Sequence, residues 1–193
     1  MNFGDDVFLC LWDTISFPEV YSYRYTSSHP AQIMYPQLVS KKTIEYIHRM
    51  VYYRYATYKS VLKYFLSFDI KKLLSREVLS NDSKINKTIS QELYIFPDMW
   101  SLMNTVPLSQ QTAHGHIVIS SQMTPKQKDI AWWKIKKWII TKVFSTHAGI
   151  FQDWNTLNKI YLHDPHKRYY ANQQEPRYKV NSCVSTMKKI YQC

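Results

Sequence analysis

The sequence predicts an α/β protein with a largely antiparallel central sheet that is flanked by helices on one or both faces. Three observations lead to this fold class. Stretches rich in β-forming residues alternate along the chain with amphipathic helical patterns. Hydrophobic residues make up 45% of the chain, which is enough to fill a core. A length of 193 residues favours one domain, so we expect residues 1–193 to fold as a single unit.

The first expected elements are one strand and one long helix. Loose alternation of β-forming residues predicts a strand over residues 7–15, and a polar stretch follows it. Apolar residues recur every three or four positions over residues 43–68, which predicts a single long amphipathic helix. After a polar loop at 80–91, Pro107 limits the apolar run at residues 100–103 to a brief or edge strand.

The next helix has a well-marked start. Thr124 provides an N-cap hydroxyl, Pro125 suits the first helical position, and Gln127 completes a capping box. Helical spacing of apolar residues, among them Trp132, continues to about Phe144. The elements expected beyond this helix are a strand within 155–162, a turn at 163–166 and a last helix at 183–191.

Composition narrows the classes of function. The chain has three glycines spread far apart, so no window forms a glycine-rich phosphate loop or dinucleotide-binding turn. A formal charge of +11 predicts a polyanionic partner, and we expect nucleic acid rather than a membrane. No run approaches the roughly 18 apolar residues of a membrane span, and the acidic opening does not predict a signal peptide. Three widely spaced cysteines fit reduced thiols and an intracellular protein.

The pair His114 and His116 is a candidate site, and we expect both residues on one strand over residues 113–120. Side chains alternate faces along a strand, so both imidazoles would project from the same face, with Gly115 between them. Neutral imidazole is the commonest protein metal ligand. Two interpretations stay open: a metal site, or a half-buried strand whose two histidines have ordinary hydrogen-bond partners.

Several short segments of the second half occur in the order found in a known family of nucleases. These segments are Ile95-Phe96-Pro97, the strand His114–Ile119, the pair Trp132-Trp133, Asp153–Leu157 and the basic run Lys167–Tyr170. Together they resemble the His-hydrophobic-His endonuclease superfamily, and most closely the amino-terminal nuclease domain of parvoviral replication initiators. The likeness covers about residues 93–191 and includes no helicase domain.

The resemblance implies that the protein nicks single-stranded origin DNA during rolling-circle or rolling-hairpin replication in the host nucleus. His114 and His116 would hold Mg²⁺ or Mn²⁺ against the scissile phosphate. Asn104 stands near the place where the family has an acidic third ligand. A tyrosine would attack phosphorus, with Tyr191 as the first candidate and Tyr170 as the second. Any oligomer is expected to form through a further, downstream region.

The lysine-rich helix is the expected contact with DNA. Its candidate phosphate-binding residues are Lys134, Lys136, Lys137 and Lys142. A second class of function keeps this basic surface without catalysis: an accessory protein that binds nucleic acid or host proteins without cleavage. Two departures from the family favour this alternative, because Asn104 replaces an acidic ligand and no lysine follows Tyr191.

Overall fold

Most of the carboxyl-terminal four fifths of the chain can be described. The structure is a computed structural model, and it describes residues 39–54, 57–65, 90–167, 170–172 and 177–193. The strand expected at 7–15 and nearly all of the polar loop expected at 80–91 lie outside these residues.

Two helices occupy the region where the sequence predicts one. Helix α1 spans Lys41–Arg54 and helix α2 spans Tyr58–Phe65, so the prediction of a single helix over 43–68 is wrong. The side chain of Thr57 accepts a hydrogen bond from the backbone N–H of Ser60 at 3.2 Å. This hydroxyl caps the first turn of α2, which explains why a new helix begins at this point.

A four-stranded sheet forms the centre of the described fold. Its strands are β1 (Gln91–Ile95), β2 (His116–Ile119), β3 (Lys142–Ser145) and β4 (Leu157–Leu162). They lie in the order β2-β3-β1-β4, and all three pairings are parallel. The α/β class is therefore confirmed, while the expected antiparallel direction of the central sheet is wrong.

The connections between the strands explain the parallel direction. Helices α3 (Met99–Thr105) and α4 (Leu108–Gln111) join β1 to β2, and α5 (Pro125–Lys136) joins β2 to β3. A 3₁₀ helix at His147–Phe151 joins β3 to β4. A helical crossover returns the chain to the end of the sheet where the previous strand began, so the next strand runs parallel.

The observed bounds of helices α3 and α5 differ from those that the sequence predicts. Residues 100–103, expected as a brief strand, lie within α3, whose first turn is capped by Asp98 through a 2.7 Å hydrogen bond to the Ser101 N–H. The capping box of α5 is confirmed, since Thr124 and Gln127 bond each other's backbone N–H groups. This helix ends at Lys136, eight residues before the expected Phe144.

The carboxyl-terminal part contains a short antiparallel pair and the last helix. Strands β5 (Ala171–Asn172) and β6 (Tyr178–Lys179) pair with each other, and helix α6 spans Val180–Tyr191. The strand predicted within 155–162 and the helix predicted at 183–191 are confirmed.

Alternation along the strands separates the sheet into two different faces. One face carries buried side chains, including Leu93, Ile95 and Val143, and is packed against helical elements. On the other face, Phe144 packs with Phe96 and Leu102 in a cluster formed by helix α3. That cluster lies toward the carboxyl ends of the strands, and the residues nearer their amino ends form the site described below.

Candidate functional site

The two histidines of the candidate metal site occupy different local structures. His116 is the first residue of β2, whereas His114 lies in the turn before it, so the prediction that one strand carries both is wrong. Gly115 has a φ of +78°, a left-handed conformation that interrupts the alternation expected of extended backbone. Its carbonyl accepts hydrogen bonds from the N–H groups of Thr141 and Lys142, which aligns β2 with β3.

His116 is held by two contacts. Its Nδ1 lies 2.7 Å from the backbone carbonyl oxygen of Gln110, and since a carbonyl only accepts, Nδ1 is the donor in this hydrogen bond. The ring also meets Phe144 edge to face, with centroids 5.8 Å apart. Asn104 lies on helix α3 with an exposed side chain.

The expected donor set does not match the expected cation. Mg²⁺ and Mn²⁺ prefer oxygen ligands, above all carboxylates, whereas His114 and His116 offer imidazole nitrogens and only the amide oxygen of Asn104 suits such a cation. Within the described part of the chain, no group of three or more His, Cys, Asp or Glu residues is placed to hold a metal ion. The metal stays a prediction of the sequence resemblance.

Tyr191, the first candidate nucleophile, is buried and engaged. Its hydroxyl lies 2.8 Å from the Thr43 Oγ1 atom on helix α1. Burial raises the pKa of the Tyr191 phenol well above its ordinary value of 10.0. A raised pKa makes the phenolate scarce, and burial keeps a phosphate away, so this phenol ties α1 to α6 in the described fold.

Tyr170, the second candidate, is also buried. Its hydroxyl donates to the Ile95 carbonyl at 3.1 Å and to the carbonyl of His163. Burial again raises the pKa of this phenol above its ordinary value. Both acceptors lie just at the carboxyl ends of β1 and β4, so Tyr170 fastens the end of the sheet.

The four candidate DNA-binding lysines divide into different environments. Lys134 is exposed on α5, and Lys137 follows the end of that helix. Lys136 is largely buried, because its ammonium donates to Asp153 and lies near the rings of Trp132 and Trp133. Lys142 belongs to β3, so its expected place on the helix is wrong.

Lys142 is part of a polar row that crosses the whole sheet. The strand register aligns four side chains on one face, one from each strand: His116, Lys142, Glu92 and Lys159. The Lys142 and Lys159 side chains are 41% and 55% exposed, whereas Glu92 between them is 19% exposed. Two ammonium groups thus reach solvent on either side of a partly covered carboxylate.

Glu92 attracts Lys142 and Lys159 without accepting a hydrogen bond from either ammonium group. Its carboxylate oxygens lie 3.9 Å from Lys142 Nζ and 3.7 Å from Lys159 Nζ. Both separations exceed ordinary hydrogen-bond length, so the ammonium groups are attracted to Glu92 while their N–H donors stay available. The Tyr94 hydroxyl donates to Glu92 at 2.8 Å. Burial raises the pKa of the Tyr94 phenol, and this hydrogen bond raises it further by a smaller amount.

An aromatic row lies directly beside the polar row. Tyr94 and Tyr161, paired across β1 and β4, stack with centroids 4.5 Å apart and an interplanar angle of 14°. Phe144 on β3 lies on the other side of Tyr94, at 5.1 Å. Tyr161 remains 39% exposed, so one end of this stack is open to solvent. We call the surface formed by His116, Lys142, Glu92, Lys159, Tyr94 and Tyr161 the polar sheet face.

Sequence reasoning missed this site because it missed two strands. The run Gln91–Ile95 alternates buried and partly exposed residues in the structure. Its sequence does not show this alternation, because the buried Gln91 is polar and Leu93, Tyr94 and Ile95 follow one another without a polar residue between them. The second strand, Lys142–Ser145, overlaps the end of the helix that the sequence predicts to continue to about Phe144.

In comparisons with known proteins, no family model and no curated protein matches this chain. The class that the fold defines is a mixed α/β protein with a four-stranded parallel sheet and helices packed against it. None of the described helices is long and apolar enough to cross a membrane.

Proposed function

We propose that this protein binds single-stranded nucleic acid on the polar sheet face. One observation carries the proposal: exposed lysines and a solvent-open tyrosine stack lie side by side across four parallel strands. Parallel sheets usually have both faces covered by apolar packing, so a row of charged side chains at this position calls for a functional explanation.

The two rows match the two chemical parts of a nucleotide strand. Lys142 and Lys159 offer ammonium donors to phosphates, and the overall charge of +11 attracts a polyanion from a distance. Tyr161 offers an aromatic face on which an unpaired base can stack. Because bases of a duplex are already stacked on each other, this surface favours a single strand.

Binding without cleavage is the form of the proposal that the geometry supports best. Tyr191 and Tyr170 are both buried, and both phenols have their hydroxyl groups engaged in hydrogen bonds. Nicking by a tyrosine, origin DNA as the substrate and the host nucleus as the compartment stay predictions of the sequence resemblance. The proposal shares with them a nucleic-acid partner, and it corresponds to the non-catalytic alternative.

The experiment is a salt titration of binding to a 15-nucleotide single-stranded thymidine oligomer, measured by fluorescence anisotropy. Each phosphate contact on a single strand contributes about 0.7 to the slope of log K against log salt concentration. The double substitution Lys142→Met and Lys159→Met should therefore reduce the slope by about 1.4. A duplex of the same length should bind more weakly than the single strand.

The matched comparison is the double substitution Lys126→Met and Lys134→Met, which removes the same charge from exposed positions of α5. This second variant should bind with a slope close to that of the unmodified protein. The proposal is contradicted if the α5 variant loses the slope and the sheet variant keeps it.

A further inference from the structure

A second polar site lies away from the polar sheet face, between helices α1 and α6. It is a cavity of about 430 Å³ that opens widely to solvent, and its volume falls within the size range of small-molecule sites. The cavity is lined by Arg49, Tyr53, Ser182, Ser185, Thr186 and Lys189. Every one of these side chains carries a hydrogen-bonding group, and two carry a positive charge.

The spacing along α6 gives this helix two different stripes. Its buried stripe is apolar and faces the core, including Cys183, Met187 and Ile190. The cavity stripe falls at Ser182, Ser185, Thr186 and Lys189, the i, i+3, i+4, i+7 positions of one helix face. Arg49 and Tyr53 are also one turn apart, so two helices present polar side chains to the same space.

The hydrogen-bonding groups that line the cavity favour an anionic ligand. The Arg49 guanidinium uses one nitrogen to bond Glu45 at 2.6 Å and has further N–H donors. Lys189 adds an ammonium, and Ser182 and Ser185 add hydroxyl donors. None of the described lining residues carries a carboxylate. Because Glu45 pairs with Arg49, the excess positive charge comes from Lys189, and donors outnumber acceptors along the lining.

Thr186 has a different role in this wall. The Thr186 hydroxyl donates its one hydrogen to the Ser182 carbonyl at 3.0 Å. Toward a ligand, the hydroxyl oxygen can therefore only accept a hydrogen bond. An acceptor beside several donors suits a ligand that has both an anionic group and a hydroxyl. Tyr53, whose side chain is exposed, adds an aromatic ring at the rim of the cavity.

We infer that this cavity binds a phosphate monoester. Arginine recognises phosphate oxygens through parallel N–H donors, and lysine and serine add charge-assisted and neutral hydrogen bonds. The volume exceeds that of the phosphate group alone and leaves room for an organic portion against Tyr53. This inference does not depend on the proposed function, because the two sites share no residue.

Two sources can supply this chemistry: a free nucleoside monophosphate, or the terminal phosphate of a nucleic acid. The full chain is titrated at constant ionic strength with inorganic phosphate, adenosine monophosphate, adenosine, and an oligonucleotide with or without a 5′-phosphate. Binding is followed by amide chemical shifts in two-dimensional NMR spectra. We expect saturable shifts at α1 and α6 with at least one of the phosphate monoesters and none with adenosine.

The variant that tests the site is Lys189→Met, and its matched control is Lys188→Met. Both lysines are exposed in the last turn of α6, but Lys189 lines the cavity and Lys188 is not among its lining residues. Loss of a charge-assisted hydrogen bond should weaken the monoester at least about tenfold in Lys189→Met. The control should bind within about twofold of the unmodified protein, since Lys188 is exposed to solvent and does not line the cavity.

Each outcome decides the inference. Preference for the free monoester or for the 5′-phosphorylated oligonucleotide identifies the source and supports the site. Equal binding of adenosine and its monophosphate, no saturable shift with any phosphate, or equal losses in Lys188→Met and Lys189→Met overturns it. Loss of strand binding in the sheet variants leaves the titration with adenosine monophosphate unaffected, so the two proposals fail separately.

Discussion

The ammonium of Lys136 donates to the buried carboxylate of Asp153 at 3.1 Å, and this pair joins helix α5 to the loop before β4. Asp153 is 1% exposed and Lys136 is 17% exposed. The other oxygen of Asp153 accepts the Ser40 backbone N–H at 3.0 Å, which links the loop to the start of α1. The Lys136 ammonium also lies 5.0 Å from the centre of the Trp132 ring. Because both contacts are within the protein, Lys136 stabilises the fold and its charge is largely compensated.

We predict that Lys136→Met destabilises the protein by about 3 kcal/mol, because it leaves the Asp153 carboxylate buried without its cation. The measurement is the free energy of unfolding from urea denaturation. Lys134→Met is the matched control, since Lys134 is exposed on the same helix. The control should change stability by less than about 0.5 kcal/mol. An equal change in the free energy of unfolding in the two variants would show that the Lys136–Asp153 pair does not stabilise the fold.

Tyr191→Phe tests the role of the buried phenol. The substitution removes one hydroxyl from a buried hydrogen bond with Thr43, so we expect a loss of about 1 kcal/mol in stability. Affinity for a single strand should stay unchanged. In the presence of Mn²⁺ and single-stranded DNA, we expect no covalent adduct from the unmodified chain. An adduct that disappears in Tyr191→Phe or Tyr170→Phe would instead establish the nicking activity that the sequence resemblance implies.

Gly115→Ala should destabilise the protein by about 1–2 kcal/mol, because an L-residue with a side chain is strained in the left-handed region. The backbone there has a φ of +78°, and an added Cβ would lie 3.1 Å from Thr141 Oγ1. Gly115→Asn should cost less, since asparagine tolerates this conformation better. Thermal unfolding of the two variants gives the comparison, and an alanine variant as stable as the glycine form would rule out the strain.

Stability should fall as the pH drops through 6.5, the ordinary pKa of histidine. Burial lowers the pKa of His48 below its ordinary 6.5, so between the two values the unfolded chain binds more protons than the folded one. Unfolding is then favoured as the pH falls through this window. The neutral ring also bonds the Tyr58 hydroxyl at 2.6 Å. His48→Gln should flatten the dependence, and an unchanged profile in that variant would assign it to other groups.

The elements that sequence analysis located correctly have strong local signals. The start of α5 follows from a complete capping box, and β4 and α6 follow from their own periodicity. The end of α5 had no such signal. Trp138 adopts a left-handed φ of 57° at the position where glycine usually marks a helix end. Because tryptophan does not signal a helix end, the predicted helix extends wrongly into β3.

The candidate site could not be derived for a related reason. Placing His114 and His116 together assumed continuous extended backbone, and the left-handed Gly115 breaks that assumption. The polar sheet face depends on long-range pairing of four separate strands, and periodicity in one segment does not specify which strands become neighbours. Glu92 and Lys159 are 67 positions apart in the sequence and become neighbours only through the pairing of β1 with β4.

The aromatic part of the polar sheet face gives a prediction separate from the salt slope. Tyr161→Ala should weaken binding of a single strand by about 1–3 kcal/mol, the range measured for removal of one stacking residue. Tyr161→Phe keeps the ring and should bind nearly as well as the unmodified protein. If both variants bind equally well, the exposed ring does not contact a base.

The most direct measurement is ultraviolet crosslinking of the full chain to a single-stranded thymidine oligomer, with the attached residues identified by mass spectrometry. We expect crosslinks within β1 and β4, with Tyr161 as the main site, and a sharp decrease in Tyr161→Ala. Crosslinks confined to α5, or to other residues outside the polar sheet face, would contradict the proposal that this face holds the strand.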